Sequence, residues 1–326
     1  MGIKFITAAV IFLALIPNII WMVLWPLCRI FGYHLPYGYF GWSAMGIASI
    51  ALLLMLYGMF IGRWKVSETA LEYSHDDIPS AFDGYRIVHI SDIHLYTFMD
   101  HPEKLEAIVE RINALKPDLV CFTGDMVSMG PDEAEACGKI LKGIRARDGV
   151  ASVLGNHDFF IYASRDASER KAKVDSLCSF QKETLGWNLL RNENMTISRD
   201  GTSISVVGID NSHGKGQGFH TISSGDLGKA LDGTEGFRIL LSHDPSFWES
   251  DVVGHEDIAL TLSGHTHAAQ IKVFGWTPAS WMFNQTHGRY DIGDQTIYVN
   301  AGLGCTAQMR IGADAEITLI TLRGGN

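Results

Sequence analysis

Five short motifs, each placed where an apolar run that reads as a β-strand gives way to a loop, constrain this 326-residue chain more than anything else in it. They are Ser91-Asp92-Ile93-His94, Gly124-Asp125, Gly155-Asn156-His157-Asp158, Ser242-His243-Asp244 and Gly264-His265-Thr266-His267. Together they hold seven candidate metal ligands: Asp92, His94, Asp125, Asn156, His243, His265 and His267. A chain that spaces its ligands this way must first build the strands that carry them.

Residues 86–91, 118–123 and 150–154 are short β-branched or apolar runs that fit buried strands. Between the first two, residues 102–115 place Leu105, Ile108, Val109, Ile112 and Leu115 at helical spacing, and Pro117 ends that helix. A second helix is predicted over 131–147, opened by Pro-Asp-Glu and closed by basic residues, and a peripheral one over 164–185. Alternating strands and helices imply parallel pairing with helical crossovers. The second half turns toward β: residues 196–199 and 203–209 flank Asp200-Gly201, a two-residue hairpin signal, and runs at 237–241, 258–262, 270–274, 296–300 and 316–322 supply further strands. The expected fold is α/β, an αββα sandwich of two mixed sheets flanked by helices.

Charge divides the chain unevenly. Residues 1–66 contain Lys4, Arg29, Arg63 and Lys65 and no acidic residue. Taking those four from the 26 basic residues leaves 22 against 36 acidic, a formal −14 on the rest. Affinity for a phosphate backbone comes chiefly from Lys and Arg, so nucleic acid is not an expected partner, and a polyanionic substrate must be held by metal. The first 66 residues carry two uncharged stretches, 5–27 and 30–62, the second divided near His34-Leu35-Pro36. Each exceeds the ~20 residues that cross a bilayer. Pro17-Asn18 predicts a kink in the first, and Trp21, Trp25, Tyr37, Tyr39 and Trp42 flank the connection as interfacial anchors. A cleaved signal peptide is the competing reading of the first run, but no clear small-x-small site follows it. With Lys4, Arg63 and Lys65 against Arg29, the positive-inside bias puts the remaining domain in the cytoplasm, beneath a membrane of the bacterial inner type. The expected organisation is therefore a two-helix membrane anchor over 1–65, a linker over 66–83 and a catalytic domain over 84–326. Five cysteines without CxxC spacing indicate neither a disulfide framework nor a zinc-thiolate site.

Alternate residues of an extended segment point to one face, so Asp92 and His94 can chelate one ion. Asp125 is the only residue of its motif able to bind metal, and a carboxylate has lone pairs for two ions, which makes it the choice for a bridge. Asn156 offers an amide oxygen, His243 an imidazole, and His265 and His267 repeat the alternate spacing with the option of serving one ion each. Nitrogen and oxygen donors without thiolate suit manganese, iron or zinc. Two such ions clamp the attacking and leaving oxygens of a displacement at phosphorus and make hydroxide available at neutral pH. His157, beside Asn156, is placed to stabilise phosphoryl charge or to protonate the leaving alkoxide, with Asp158 expected to orient its imidazole.

In this order the motifs resemble those of the calcineurin-like metallophosphoesterase superfamily: Asp-x-His, Gly-Asp, Gly-Asn-His-Asp or -Glu, a lone His, and Gly-His-x-His. The resemblance covers about residues 84–322. It implies a first ion on Asp92, His94, Asp125 and His267, a second on Asp125, Asn156, His243 and His265, and His157 as a catalytic histidine outside the ligand set. Within the superfamily the chain looks most similar to the membrane-associated branch with the bacterial YaeI and YkuE phosphodiesterases and the chlamydial UDP-2,3-diacylglucosamine hydrolase. That closer match rests on Ile78-Pro79-Ser80-Ala81-Phe82-Asp83-Gly84, Ser242-His243-Asp244-Pro245, and Gly302-Leu303-Gly304 with Arg310. Ala268-Ala269 departs from it, since that branch usually has two glycines there. The implied activity is hydrolysis of a phosphodiester, pyrophosphate or phosphomonoester, with a lipid-linked phosphate as the substrate the anchor favours and UDP-2,3-diacylglucosamine as the named candidate. A catalytically silent scaffold of the same fold is the alternative from another class, and such a protein is expected to have lost ligands that this chain retains.

Remaining polar residues are assigned more ordinary places. His89 lies inside a strand and is expected to be interior; His75, His101, His213, His220, His255 and His287 read as surface or loop residues, and His34 lies between the apolar runs. Arg289 and Arg310 are candidate substrate-binding residues, because a basic side chain near the metals would complement phosphate. Gly214-Lys215-Gly216-Gln217-Gly218 lacks the Lys-Ser/Thr ending of a P-loop and reads as a flexible loop beside the site.

Overall fold

The computed structural model describes residues 2–219 and 221–324; His220 lies outside the described residues. The chain divides into two units, residues 1–63 with 307–311, and residues 64–306 with 312–326.

The first unit is built on α1 (Gly2–Ile30) and α2 (Tyr37–Phe60), whose apolar stretches 7–30 and 37–64 are long enough to cross a membrane. Pro17 leaves α1 continuous. Asn18, next to it, donates its side-chain amide to the Ala14 carbonyl at 2.7 Å and accepts the Tyr37 hydroxyl at 2.7 Å, so polar groups beside the proline are satisfied across the helix pair. Trp21 packs on Trp25 and Tyr37 with ring centroids 5.7 and 5.2 Å apart, and its indole N–H reaches the Leu35 carbonyl. Gly58 and Gly62 make room for the 307–311 backbone: a Cβ on Gly62 would lie 2.0 Å from the Arg310 carbonyl oxygen, and the Arg310 amide donates to the Gly58 carbonyl. Arg310 is buried here, in the helical unit.

The second unit is two six-stranded sheets. Its strands are β1 (Val66–His75), β2 (Arg86–Ile90), β3 (Leu119–Phe122), β4 (Val150–Ser152), β5 (Asn188–Leu189), β6 (Glu193–Arg199), β7 (Thr202–Gly208), β8 (Arg238–Leu241), β9 (Leu260–Ser263), β10 (Gly288–Ile292), β11 (Gln295–Val299) and β12 (Ala315–Gly324). One sheet runs β1-β12-β2-β3-β4-β5, parallel except where β12 meets β2; the other runs β10-β11-β9-β8-β7-β6, parallel through β11, β9, β8 and β7 with antiparallel hairpins at both edges. Alternation along the strands separates three apolar layers. Ile87, Leu119 and Cys121 face Val206, Ile239, Leu241 and Leu262 between the sheets. Val88, Ile90, Val120 and Phe122 face outward onto α3 (Pro102–Ala114), through Leu105, Ile108 and Ile112, and onto α5 (Ala167–Ser179), through Leu177. Val207, Leu240 and Val299 back onto Trp248 and Ala230, the latter from α6 (Leu227–Leu231). This is the expected αββα sandwich.

Three expectations of detail differ. The helix predicted over 131–147 is only α4 (Asp132–Ala136) followed by a 3-10 stretch, Gly138–Gly143. Gly138 is where it breaks: a Cβ there would meet Phe180 at 2.9 Å and Leu95 at 3.1 Å, so this backbone lies against side chains that a regular helix would displace. Residues 270–274 form no strand, because Gln270 and Phe274 have left-handed φ of 58° and 50° and the run folds into a tight turn closed by the Val273–Trp276 bridge. The edge strand β10 lacks an apolar alternation strong enough to announce it; Arg289 stands on it, exposed and paired with Asp291 at 2.9 Å.

Candidate metal centre

Asp92, Asp125 and Asn156 follow β2, β3 and β4, while His243 and both histidines of the last motif follow β8 and β9. All five are parallel strands, so the structure gathers the motifs where the carboxyl ends of the two sheets meet, the usual position for a site in open α/β sheets. The loops are tightly made. Asp92, His94, Asp125, His265 and His267 have left-handed φ of 49°, 42°, 58°, 71° and 50°, a region that costs a side-chain-bearing residue about 1–2 kcal/mol. Five of the seven candidate ligands sit there. Strain concentrated on those residues is what a geometrically imposed site looks like.

Gly124 and Gly155 bring the β3 and β4 loops into contact: a Cβ on Gly155 would fall 2.2 Å from Asp125 Oδ1, and one on Gly124 2.4 Å from the Gly155 nitrogen. Asp158 accepts the backbone amides of Gly155, Asp125, Met126 and Val127 at 2.8–3.2 Å. With its oxygens engaged in that way it fastens the two loops together. The orienting role expected of Asp158 falls instead to the Ser128 carbonyl, which lies 2.8 Å from His157 Nδ1. The His157 amide meanwhile donates to Asp125 Oδ1 at 2.8 Å.

Seven candidate ligand side chains converge in two groups that share one oxygen. His94 Nε2 and His243 Nε2 lie 3.6 and 3.2 Å from the same Asp125 Oδ2. On one side His267 Nε2 stands 3.1 Å from His94 Nε2 and 3.3 Å from Asp92 Oδ1. On the other, His243 Nε2 is 3.1 Å from Asn156 Oδ1 and 3.2 Å from His265 Nδ1. Asp92, His94 and His267, and likewise Asp125, His243 and His265, hold their ligand atoms within 4.8 Å of one another. Sequence reasoning missed the supporting residues: the Thr123 carbonyl 2.7 Å from His243 Nδ1, the Tyr162 hydroxyl accepting from Asn156 Nδ2, and Asp244 Oδ2 3.5 Å from His265 Nε2. Asp244 could have been found from its place beside His243; Tyr162 leaves no pattern.

These donors fit a cation. A carbonyl only accepts, so the Thr123 contact keeps the His243 proton on Nδ1 and turns the Nε2 lone pair toward Asp125 Oδ2, Asn156 Oδ1 and His265 Nδ1. Without a cation only a second proton satisfies that arrangement: burial opposes it, but the Asp125 carboxylate prevails and pushes His243 up to about 10. Burial also opposes charge on Asp125, yet His243 and His157 hold its carboxyl well below the usual range. Burial raises Asp92 to about 6 and lowers His94 to about 3. Asp92 Oδ1 is buried and has no hydrogen-bond partner among the described residues, with His267 Nε2 3.3 Å away. A divalent ion on each side of Asp125 would satisfy these atoms together.

Arg289 stands on the exposed β10 edge, paired with Asp291, and Arg310 is a buried residue grouped with the helical unit. His89, as expected, is interior, with Nε2 2.9 Å from the Thr123 hydroxyl, and burial lowers it to about 3.

Known proteins agree with this arrangement. The chain is 33% identical to the metallophosphoesterase YkuE of Bacillus subtilis over 83% of its own length and 90% of that protein's. It is 30% identical to a zebrafish (Danio rerio) transmembrane protein with a metallophosphoesterase domain, covering 84% of this chain and 61% of the relative, so it spans about three fifths of that longer protein. A third relative, the UDP-2,3-diacylglucosamine pyrophosphatase LpxG of Chlamydia trachomatis, is 28% identical over 73% of this chain and 83% of its own. The family model for calcineurin-like phosphoesterase matches residues 85–269, the span that contains all five motifs. By sequence, fold and donor set, the chain belongs to the calcineurin-like phosphoesterase family and is a metal-dependent phosphoesterase.

Proposed function

We propose that this chain is a membrane-anchored, two-metal phosphohydrolase acting on a lipid-linked phosphoester. One observation carries the metal assignment: Asp125 Oδ2 stands between His94 Nε2 and His243 Nε2, each heading a separate donor group. Asp92, His94, Asp125 and His267 would hold one ion, and Asp125, Asn156, His243 and His265 the other, with manganese, iron or zinc suiting the donors. Bound there, the ions supply Lewis acidity that lowers the pKa of water and neutralises phosphoryl oxygens. His157 does the proton work. Its Nδ1–H is held by the Ser128 carbonyl, which leaves Nε2 to carry the second proton of an imidazolium. As water oxygen bonds to phosphorus and the leaving P–O bond breaks, that proton passes from Nε2 to the leaving oxygen, and one proton of the attacking water is lost to solvent. Asp158 keeps the loop in place by binding four amides.

The span-length helices and the transmembrane relative support anchoring, and the charge bias around the helices favours a cytoplasmic catalytic domain. The chlamydial relative supports a sharper reading, cleavage of UDP-2,3-diacylglucosamine at its pyrophosphate. The test is a metal-supplemented screen of the full chain against aryl phosphodiesters, phosphomonoesters and lipid-linked phosphates. Release of UMP from UDP-2,3-diacylglucosamine is the result expected; cleavage of an aryl phosphodiester alone sinks the sharper reading and leaves the broad one. Activity untouched by both Asp125→Ala and His157→Ala would overturn the assigned mechanism.

A further inference from the structure

One surface of the second unit is unlike the rest. From Val273 to Phe283 the chain has no charged residue, and it exposes its aromatics: Phe274 is fully exposed, and Trp281 and Trp276 are 78% and 47% exposed. The segment is ordered by its own backbone. Val273 and Trp276 exchange both hydrogen bonds around a tip at Phe274-Gly275, and the Phe283 amide closes on the Ala279 carbonyl at 2.9 Å. Two contacts tie it to the metal centre. The Thr277 hydroxyl donates to the Ala268 carbonyl, one residue past His267, and the Phe283 ring lies 5.5 Å from the His265 ring. Phe219, half exposed, meets Phe283 and His265 edge-on, with ring centroids 6.0 and 6.4 Å away, on a loop held by a hydrogen bond from the Gly218 amide to the Met282 carbonyl. An apolar track thus runs from a metal ligand to an exposed aromatic tip.

We propose that this strip, Phe274, Trp276, Trp281 and Met282 leading inward to Phe283 and Phe219, lies in the interface of a lipid bilayer and guides an acyl-bearing substrate to the metals. Water leaves large aromatic surface exposed on a rigid loop only at a cost, and tryptophan with phenylalanine suits the boundary between headgroups and acyl chains. A bilayer is the occupant the chain itself supplies, since α2 ends at Phe60 and β1 begins at Val66. The inference rests on the anchoring and the lipid-linked class of substrate proposed above, not on which lipid that substrate carries.

The test places the full chain in lipid nanodiscs at one copy per disc. Trp276→Phe combined with Trp281→Phe keeps the aromatic bulk, so subtracting the variant's emission from the wild type's isolates these two indoles. That difference is expected to fall about twofold or more when the lipid tails carry bromine, as interfacial indoles do. Equal difference emission in brominated and ordinary discs overturns the proposal. Quenching seen only at two copies per disc assigns the strip to a second copy of the chain, and also overturns it. If the chain does not enter discs at all, the anchoring has failed first; brominated vesicles added to the free protein then give the same two outcomes for the strip.

Discussion

The two sheets bring different chemistry to one centre. The loops after β2, β3 and β4 provide Asp92, His94, Asp125 and Asn156, which include both carboxylates, whereas those after β8 and β9 provide only imidazoles, from His243, His265 and His267. Charge compensation for the proposed pair of divalent ions would therefore come from one sheet, and the other sheet would complete each donor group. Each donor group draws on both sheets, so the centre is assembled by the packing of β2 and β3 against β8 and β9 through Ile87, Cys121, Ile239 and Leu262.

Removing a residue from each side should expose that inequality. Asp125→Ala takes away the shared oxygen and half of the carboxylate charge, so we expect loss of both ions and a fall in turnover on the order of 10⁴-fold or more. His267→Ala removes one nitrogen from one group and should leave the second ion bound. Metal analysis of the two purified variants checks the pair; equal losses would mean that the sheets are not unequal partners. His157→Ala comes next, with a fall of about 10²–10⁴-fold in kcat and unchanged metal content. Under the proposed role, protonation of the leaving oxygen, the loss should shrink for an aryl phosphodiester, whose leaving group needs no proton. An equal loss on alkyl and aryl substrates would assign His157 to phosphoryl charge instead.

Asp244→Asn tests the sheet that supplies no carboxylate among the candidate ligands. Asp244 Oδ2 faces His265 Nε2 at 3.5 Å while His265 Nδ1 points into the cluster, the arrangement in which a carboxylate sets a ligand's tautomer and orientation. Metal affinity should weaken about 10–100-fold, with protein stability little changed. Titration of the metal-free protein measures it. Affinity that matches wild type would leave Asp244 with its other task, accepting the Ser246 amide and hydroxyl.

Much of this was legible before the fold was known, and the reason is burial. Short β-branched or apolar runs such as 86–91 and 118–123 announce strands because both of their faces must be covered, and strand ends fix where Asp92 and Asp125 emerge. The motifs then named the candidate ligands. What stayed hidden was whatever depends on two distant segments meeting. Nothing around Ser128 or Thr123 says that their carbonyls will hold histidines 29 and 120 residues away. The break at Gly138 needs Phe180 and Leu95 in place, and Asp158 could be recognised as a loop fastener only once the amides of residues 125–127 were seen around it.

The smallest effect belongs to the one place where the sequence departs from the pattern it resembles. Ala268 and Ala269 have φ of 50° with ψ of 35° and 20°, in a run from His267 to Gln270 that is left-handed throughout. Glycine takes that conformation freely, whereas each alanine Cβ costs about 1 kcal/mol there. The same methyl groups restrict the unfolded chain, which returns roughly 0.5–1 kcal/mol per residue. Ala268→Gly with Ala269→Gly should therefore raise stability by about 1 kcal/mol at most, a gain of roughly 2–4 °C in Tm for a domain of this size. The turn that follows His267 should loosen as well, with turnover falling about two- to threefold and KM little changed. Thermal melts and steady-state rates on the metal-loaded protein separate the two effects. A rise in Tm without loss of turnover would show that His267 is held by its neighbours, foremost the Thr277 hydroxyl on the Ala268 carbonyl, and not by the stiffness of the alanines.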